Sequence, residues 1–209
     1  MIKAILFDLD GVLIDASSWH FIALNKALSL FGFEISQVDH QQIFNGLPTR
    51  KKLQILTEKF NFPVSLHDLI HTLKQNFTNQ IVDEFCMVNQ EKLRLIQKLK
   101  EDGFKIAVCS NCILKTVKQV LQKSKLINLC DIYLSNEDVT NSKPHPEMYL
   151  KAIAHLGINP DECVVLEDSD YGKQAAQASG AFVLEVNDME SVDYEFVQNF
   201  LRNLEKVSI

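Results

Sequence analysis

"ILFDLDGVLID", Ile5 to Asp15, carries three apolar residues in what reads as a strand and then sets Asp8 and Asp10 one residue apart. Side chains alternate along a strand, so Asp8 and Asp10 point the same way, while Leu9 points elsewhere and Gly11 lets the backbone turn sharply. Two carboxylates held side by side repel, and one is driven toward its protonated form unless a cation lies between them. The pair needs a reason to exist.

Around this stretch, short β-branched runs alternate with amphipathic segments. "KAILFD", "KIAVCSN", "DIYLSNE", "ECVVLED" and "AFVLEV" read as strands. "NQEKLRLIQKLKEDG", "ILKTVKQVLQKSK", "PEMYLKAIAHLG" and "YGKQAAQASG" read as the helices between them, with Asn89 as an N-cap and Gly103, Gly157 and Gly180 as stops. This alternation predicts βαβ units, hence an α/β fold with a Rossmann-like, doubly wound parallel sheet. From Ser17 to Glu84 the rhythm breaks and only helical periodicity remains. "SSWHFIALNKALSLFG" puts Phe21, Leu24, Leu28 and Phe31 on one face, "PTRKKLQILTEKF" has Thr49 as its cap, and "SLHDLIHTLKQNF" repeats the period. The expected organisation is a core of residues 1–16 and 85–209, with residues 17–84 inserted as an all-helical cap. Ligands of open α/β sheets bind beyond the carboxyl ends of the strands, where Asp8 and Asp10 point, and the cap is expected to cover that place.

The bulk properties narrow the class. The 209 residues, 46% hydrophobic and 23% charged, are those of an ordinary globular protein, and the net charge of −6 with no basic stripe argues against nucleic acid. No apolar run is long enough to cross a membrane, and Asp8 and Asp10 interrupt any signal-peptide pattern; a cytoplasmic monomer is expected. The five cysteines are odd in number and scattered, as suits reduced thiols. "CSNC", Cys109 to Cys112, has no second ligand pair, so zinc is not expected.

Polar residues collect at the ends of the expected strands: Asp8 and Asp10 after the first, Ser110 and Asn111 after the second, and Glu167, Asp168, Ser169 and Asp170 in "VVLEDSD". "NSKPHPE" adds Lys143 just before a helix. Carboxylates alone would repel an anion, whereas a hard divalent cation such as Mg²⁺ takes one or two carboxylates together with phosphate. Asp8 and Asp168 are the natural ligands. Lys143 offers a fixed positive charge, and the Ser110 hydroxyl and Asn111 amide offer donors to phosphate oxygens. Asp8 can then attack phosphorus, and Asp10 can protonate the leaving alcohol and later activate water.

This constellation resembles the haloacid dehalogenase superfamily of phosphotransferases over essentially the whole chain. "DLDGV" is similar to its first motif, "CSN" to its second, "SKPHPE" to its third and "LEDSDYG" to its fourth. The resemblance implies a Rossmann-like core, Mg²⁺, nucleophile Asp8 and acid–base Asp10, whose backbone carbonyl also binds metal. It further implies phosphate ligands Ser110 and Lys143 and metal ligand Asp168; Glu167 completes the expected metal set. The dehalogenase and phosphonatase branches lack the second aspartate, so phosphate-ester chemistry is favoured. The insert resembles the helical cap of the β-phosphoglucomutase and phosphoglycolate phosphatase group, with His20 at a position where that group often has histidine. In "FNGLPTRKKL", Gly46 and Arg50 would face the substrate. The mutase's cap lysine has no counterpart in register, since Asn79 and Gln80 stand there with Lys74 displaced, and Asp170 is an extra acidic group. Both departures favour hydrolysis. The expectation is a Mg²⁺-dependent phosphatase of a small phosphorylated metabolite, a sugar or polyol phosphate, with a sugar-phosphate mutase as the alternative. A receiver-type phospho-accepting switch is more remote, because it needs no helical cap and accepts phosphate on a later strand.

Overall fold

The computed structural model describes residues 1–45 and 47–207. The chain divides into two compact units, Met1–Asp15 with Met87–Ile209, and Ala16–Cys86.

The first unit is a five-stranded sheet in the order β3-β2-β1-β4-β5. Its strands are β1 (Ala4–Phe7), β2 (Lys105–Cys109), β3 (Ile132–Leu134), β4 (Cys163–Glu167) and β5 (Phe182–Glu185), and every neighbouring pair is parallel. β1 is central and wholly buried, which is why "AILF" carries no polar residue. Its register sets Phe7 beside both Val108 and Leu166, so β1, β2 and β4 end side by side. The residues that follow those strands are therefore neighbours. Helices α5 (Gln90–Glu101), α6 (Leu114–Lys123), α7 (Glu147–Leu156) and α8 (Asp170–Ala178) connect the strands. The Asn89 side chain accepts from the Glu91 and Lys92 amides as expected of an N-cap, and Gly157, at φ 66°, ends α7. One face of the sheet packs Leu6, Ala107 and Val165 against Met148, Tyr149 and Ala152.

A further helix, α9 (Tyr194–Val207), lies beyond the last expected strand; it buries Val197 and Leu201. Buried Lys92 ties α5 to the turn before α9 by donating to the Met189 and Val192 carbonyls.

The described residues of the second unit form helices and no strand: α1 (Ser17–Ser29), α2 (Gln37–Asp39), which runs on as a π-helix over His40–Phe44, α3 (Thr49–Phe60) and α4 (His67–Phe85), with irregular connections between. It has its own core of Leu24, Leu28, Phe44, Leu53, Leu56, Phe62 and Ile70, against which Phe21 and Phe31 pack. Thr49, expected as a cap, is instead the first helical residue of α3 and is buried; Pro48 holds the cap position without a side-chain bond. No described helix is long and apolar enough to cross a membrane.

Candidate active site

The site begins where β1 stops. The Asp8 amide donates to the Leu166 carbonyl at 3.0 Å, carrying the β1–β4 pairing one residue past the strand and fixing the Asp8 backbone. The chain then closes on itself: the Leu9 carbonyl accepts from Leu13 and Ile14, and the Gly11 amide donates to Ile14. Gly11 sits at φ +88°, and a Cβ there would lie 2.1 Å from Asp168 Oδ2, so glycine serves both the turn and the room for Asp168.

Lys143 is the centre of the arrangement. Its buried ammonium donates to Asp8 Oδ1 at 2.6 Å, to Glu167 Oε1 at 2.5 Å and to the Cys109 carbonyl at 2.8 Å, which uses all three of its hydrogens. Burial alone would lower the lysine pKa, but Asp8 and Glu167 outweigh it and hold the ammonium well above its ordinary value. Glu167 Oε1 also accepts from the Tyr149 hydroxyl, and the Tyr149 ring lies 4.8 Å from the ammonium. Gly172 completes the cage, because a Cβ there would fall 2.0 Å from the Glu167 carboxyl carbon.

Ser110, at the end of β2, is buried; its amide donates to Leu134 and its hydroxyl accepts from the Cys112 amide. Asn111 turns its side chain to the Lys143 backbone, Oδ1 accepting from the Lys143 amide at 3.2 Å. Its amide thus joins the second motif to the third. Asp170, the extra acidic residue, is exposed and pairs with Lys173 at 3.0 Å.

The cluster is short of positive charge. Asp8 is pushed well above the usual carboxylate range, first by burial and then by Glu167, with Lys143 pulling the other way. Asp168 is pushed up to about 6 by burial, then by Glu167 and Asp10. Asp8, Glu167 and Asp168 each bring one oxygen to within 4.8 Å of the others. Oxygen donors, crowded and under-neutralised, fit a hard divalent cation.

In the helical unit, His20 Nδ1 lies 3.1 Å from Lys74 Nζ, and Lys74 is buried. Lys74, out of register along the sequence, thus stands beside the expected histidine, because helices α1 and α4 pack together. Arg50 Nη1 is 3.1 Å from Asp68 Oδ1, both largely exposed. Gly46 lies outside the described residues.

Tyr149, Gly172 and Cys112 escape sequence reasoning. Tyr149 sits in an amphipathic helix where an aromatic reads as core. Gly172 reads as a weak helix residue. Cys112 reads as packing, yet its thiol lies 3.2 Å from Asp10 Oδ2.

Fold and site together define a Rossmann-like α/β core with an acidic, lysine-centred cluster at the strand ends. Residues 5–186 match the family of haloacid dehalogenase-like hydrolases, and the chain belongs to that family. A phosphorylated carbohydrates phosphatase of Thermotoga maritima is 28% identical over 181 residues, 85% of this chain and 82% of that protein. A β-phosphoglucomutase of Bacillus subtilis is 24% identical over 194 residues, covering 88% and 83%. Among solved structures, a β-phosphoglucomutase of Clostridium difficile shares the fold with a TM-score of 0.84 at 23% identity, covering 98% of this chain and 99% of that one.

Proposed function

We propose that this protein is a Mg²⁺-dependent phosphatase that hydrolyses a small phosphorylated metabolite, a sugar or polyol phosphate, through a phosphoaspartate on Asp8. The observation that carries the reading is the buried Lys143 ammonium bonded to both Asp8 and Glu167, beside Asp168. Family membership and the phosphatase relative support the same chemistry.

Asp8 and Asp168, with the Asp10 backbone carbonyl, would hold the metal. Glu167 is within reach of it but is already engaged by Lys143 and Tyr149, so its part is to anchor Lys143. Bound Mg²⁺ supplies the positive charge that these carboxylates and the phosphate lack. The Ser110 hydroxyl would donate to a phosphate oxygen. The Lys143 ammonium, whose hydrogens go to Asp8, Glu167 and the Cys109 carbonyl, would act on the phosphate as a fixed positive charge while pulling Asp8 toward its ionised form against burial and Glu167. A carboxylate oxygen of Asp8 forms a bond to phosphorus as the phosphorus–oxygen bond to the leaving group breaks. Asp10 gives that alkoxide its proton. Asp10, now a carboxylate, takes a proton from a water whose oxygen attacks phosphorus, and the bond to Asp8 breaks, returning both aspartates to their starting states.

Phosphate release from a panel of sugar and polyol phosphates, with Mg²⁺ and with EDTA, tests the reading. Metal-dependent release from some members is expected. No release from any member, with the metal present, would overturn it.

The pairing of His20 with Lys74 favours a second reading, a sugar-phosphate mutase, to which the Bacillus relative is similar. That reading requires a bisphosphate primer and isomerisation of a sugar phosphate with little release of phosphate.

A further inference from the structure

We propose that Cys112 is a positioning residue for Asp10: its thiol donates to Oδ2 and so helps set the orientation in which the carboxyl group gives and takes the proton. The inference rests on the acid–base role proposed above for Asp10.

The contact joins two loops that are each tied down independently. Cys112 follows β2 by three residues, and its backbone is held at both ends. Its amide donates to Ser110 Oγ at 3.1 Å, and its carbonyl accepts from the Asn136 amide at 3.0 Å. The Asn136 side chain adds a bond to the Asn111 carbonyl at 2.9 Å. The backbone that carries the Cys112 thiol is thus held in place at both ends. On the other side, Asp10 stands between Leu9, whose carbonyl accepts from Leu13 and Ile14, and Gly11, whose amide donates to Ile14. The thiol therefore meets the carboxylate as part of a framework: Sγ lies 3.2 Å from Oδ2.

The chemistry of the pair gives the contact its use. A carboxyl group has two oxygens that exchange by rotation about one bond, and a proton carrier acts only when the proton sits on the oxygen that faces the leaving group. A donor on one oxygen removes that symmetry. A thiol donates to a carboxylate but holds it weakly, so it orients the group without keeping it ionised. Cys109, three residues earlier, has no such role: it is buried in the sheet face, and burial pushes its thiol up to about 12. Of the two cysteines in "CSNC", one packs and one faces the proton carrier.

The test uses the full-length enzyme with Mg²⁺ and two aryl phosphates as probes. Phenyl phosphate needs its leaving group protonated; p-nitrophenyl phosphate barely does. First-step rates are measured by burst kinetics for wild type, Cys112→Ala, Cys112→Ser, Asp10→Asn and the double variant Asp10→Asn with Cys112→Ala, after melting curves establish that each is folded. Loss of one hydrogen bond predicts a roughly three- to tenfold slower first step with phenyl phosphate in Cys112→Ala. Little change is expected with p-nitrophenyl phosphate. Serine, which restores a donor, should recover most of the loss, and in the Asp10→Asn background the alanine should change nothing further. Equal losses on both probes, a full second loss on top of Asp10→Asn, or no loss on either probe would overturn the role of Cys112 while leaving Asp10 in place. If Asp10→Asn alone keeps wild-type first-step rates on phenyl phosphate, the acid–base reading of Asp10 fails, and the role of Cys112 falls with it.

Discussion

Replacing Lys143 by methionine removes the ammonium while nearly keeping the volume, and the structure allows its cost to be worked out. The Lys143 side chain is 3% exposed, Asp8 11% and Glu167 0%, so both carboxylates lose their counter-charge out of reach of bulk water. Removing one partner of a buried ion pair typically costs about 3–5 kcal/mol, because the remaining charge stays buried without compensation. The Lys143→Met variant should therefore lose about that much stability in urea denaturation at pH 7 with EDTA present, followed by far-ultraviolet circular dichroism. The loss should shrink as pH falls, because Asp8, which burial and Glu167 already push well above the usual carboxylate range, takes up a proton more readily once the ammonium that pulls the other way is gone. Adding Mg²⁺ should return part of the stability, since it binds the folded state alone. A loss below about 1 kcal/mol at pH 7 is the size expected of an exposed pair and would refute the reasoning that Lys143 is the counter-charge of a buried cluster.

Three other outcomes follow from the geometry. Gly172→Ala drives a methyl group to 2.0 Å from the Glu167 carboxyl carbon, so it should abolish most turnover, whereas alanine in an ordinary helix stabilises; wild-type kcat in this variant would contradict the cage around Glu167. His40 is buried and pushed down to about 4, first by burial and then by Lys52 and His20, so the folded chain binds fewer protons than the unfolded chain, whose histidine titrates near 6.5. Its contribution to stability is complete above that range and falls as pH drops from about 6.5 to 4, by at most about 3 kcal/mol, and comparing urea midpoints of wild type and His40→Leu at pH 7 and 5 measures it. Arg50→Ala removes an exposed pair with Asp68 and should cost less than about 1 kcal/mol of stability. If Arg50 reads a second anionic group on the substrate, the same variant should lower kcat/KM for a two-anion substrate by about 10- to 150-fold while sparing p-nitrophenyl phosphate; equal losses on both would assign Arg50 to the fold of its unit.

Much of this was legible because a parallel sheet imposes a rule that sequence can express. The register of β1 with β2 and β4 brings Ser110 and Asp168 beside Asp8, whereas β1 ends at Phe7 and it is the turn after it, not strand alternation, that sets Asp10 near Asp8. What escaped reading depends on side chains meeting across the chain. Asn111 carries an amide that sequence assigns to phosphate, and only the loop geometry shows it bonded to the Lys143 backbone. Lys74 and His20 are 54 residues apart and Cys112 and Asp10 are 102 apart, so no local spacing announces either contact. Thr49 was misplaced because Pro48 takes the cap position, a local competition that propensity does not resolve.

The account turns on Asp8 carrying the phosphoryl group, and trapping tests that most directly. Enzyme quenched during turnover of p-nitrophenyl phosphate is reduced with borohydride, which converts an acyl phosphate to homoserine, and peptide mass spectrometry locates the converted residue. The account predicts homoserine at Asp8, only when substrate and Mg²⁺ are both present, and no turnover in Asp8→Asn. Conversion at Asp10 or Asp168 instead, or sustained turnover by Asp8→Asn free of wild-type enzyme, would contradict it.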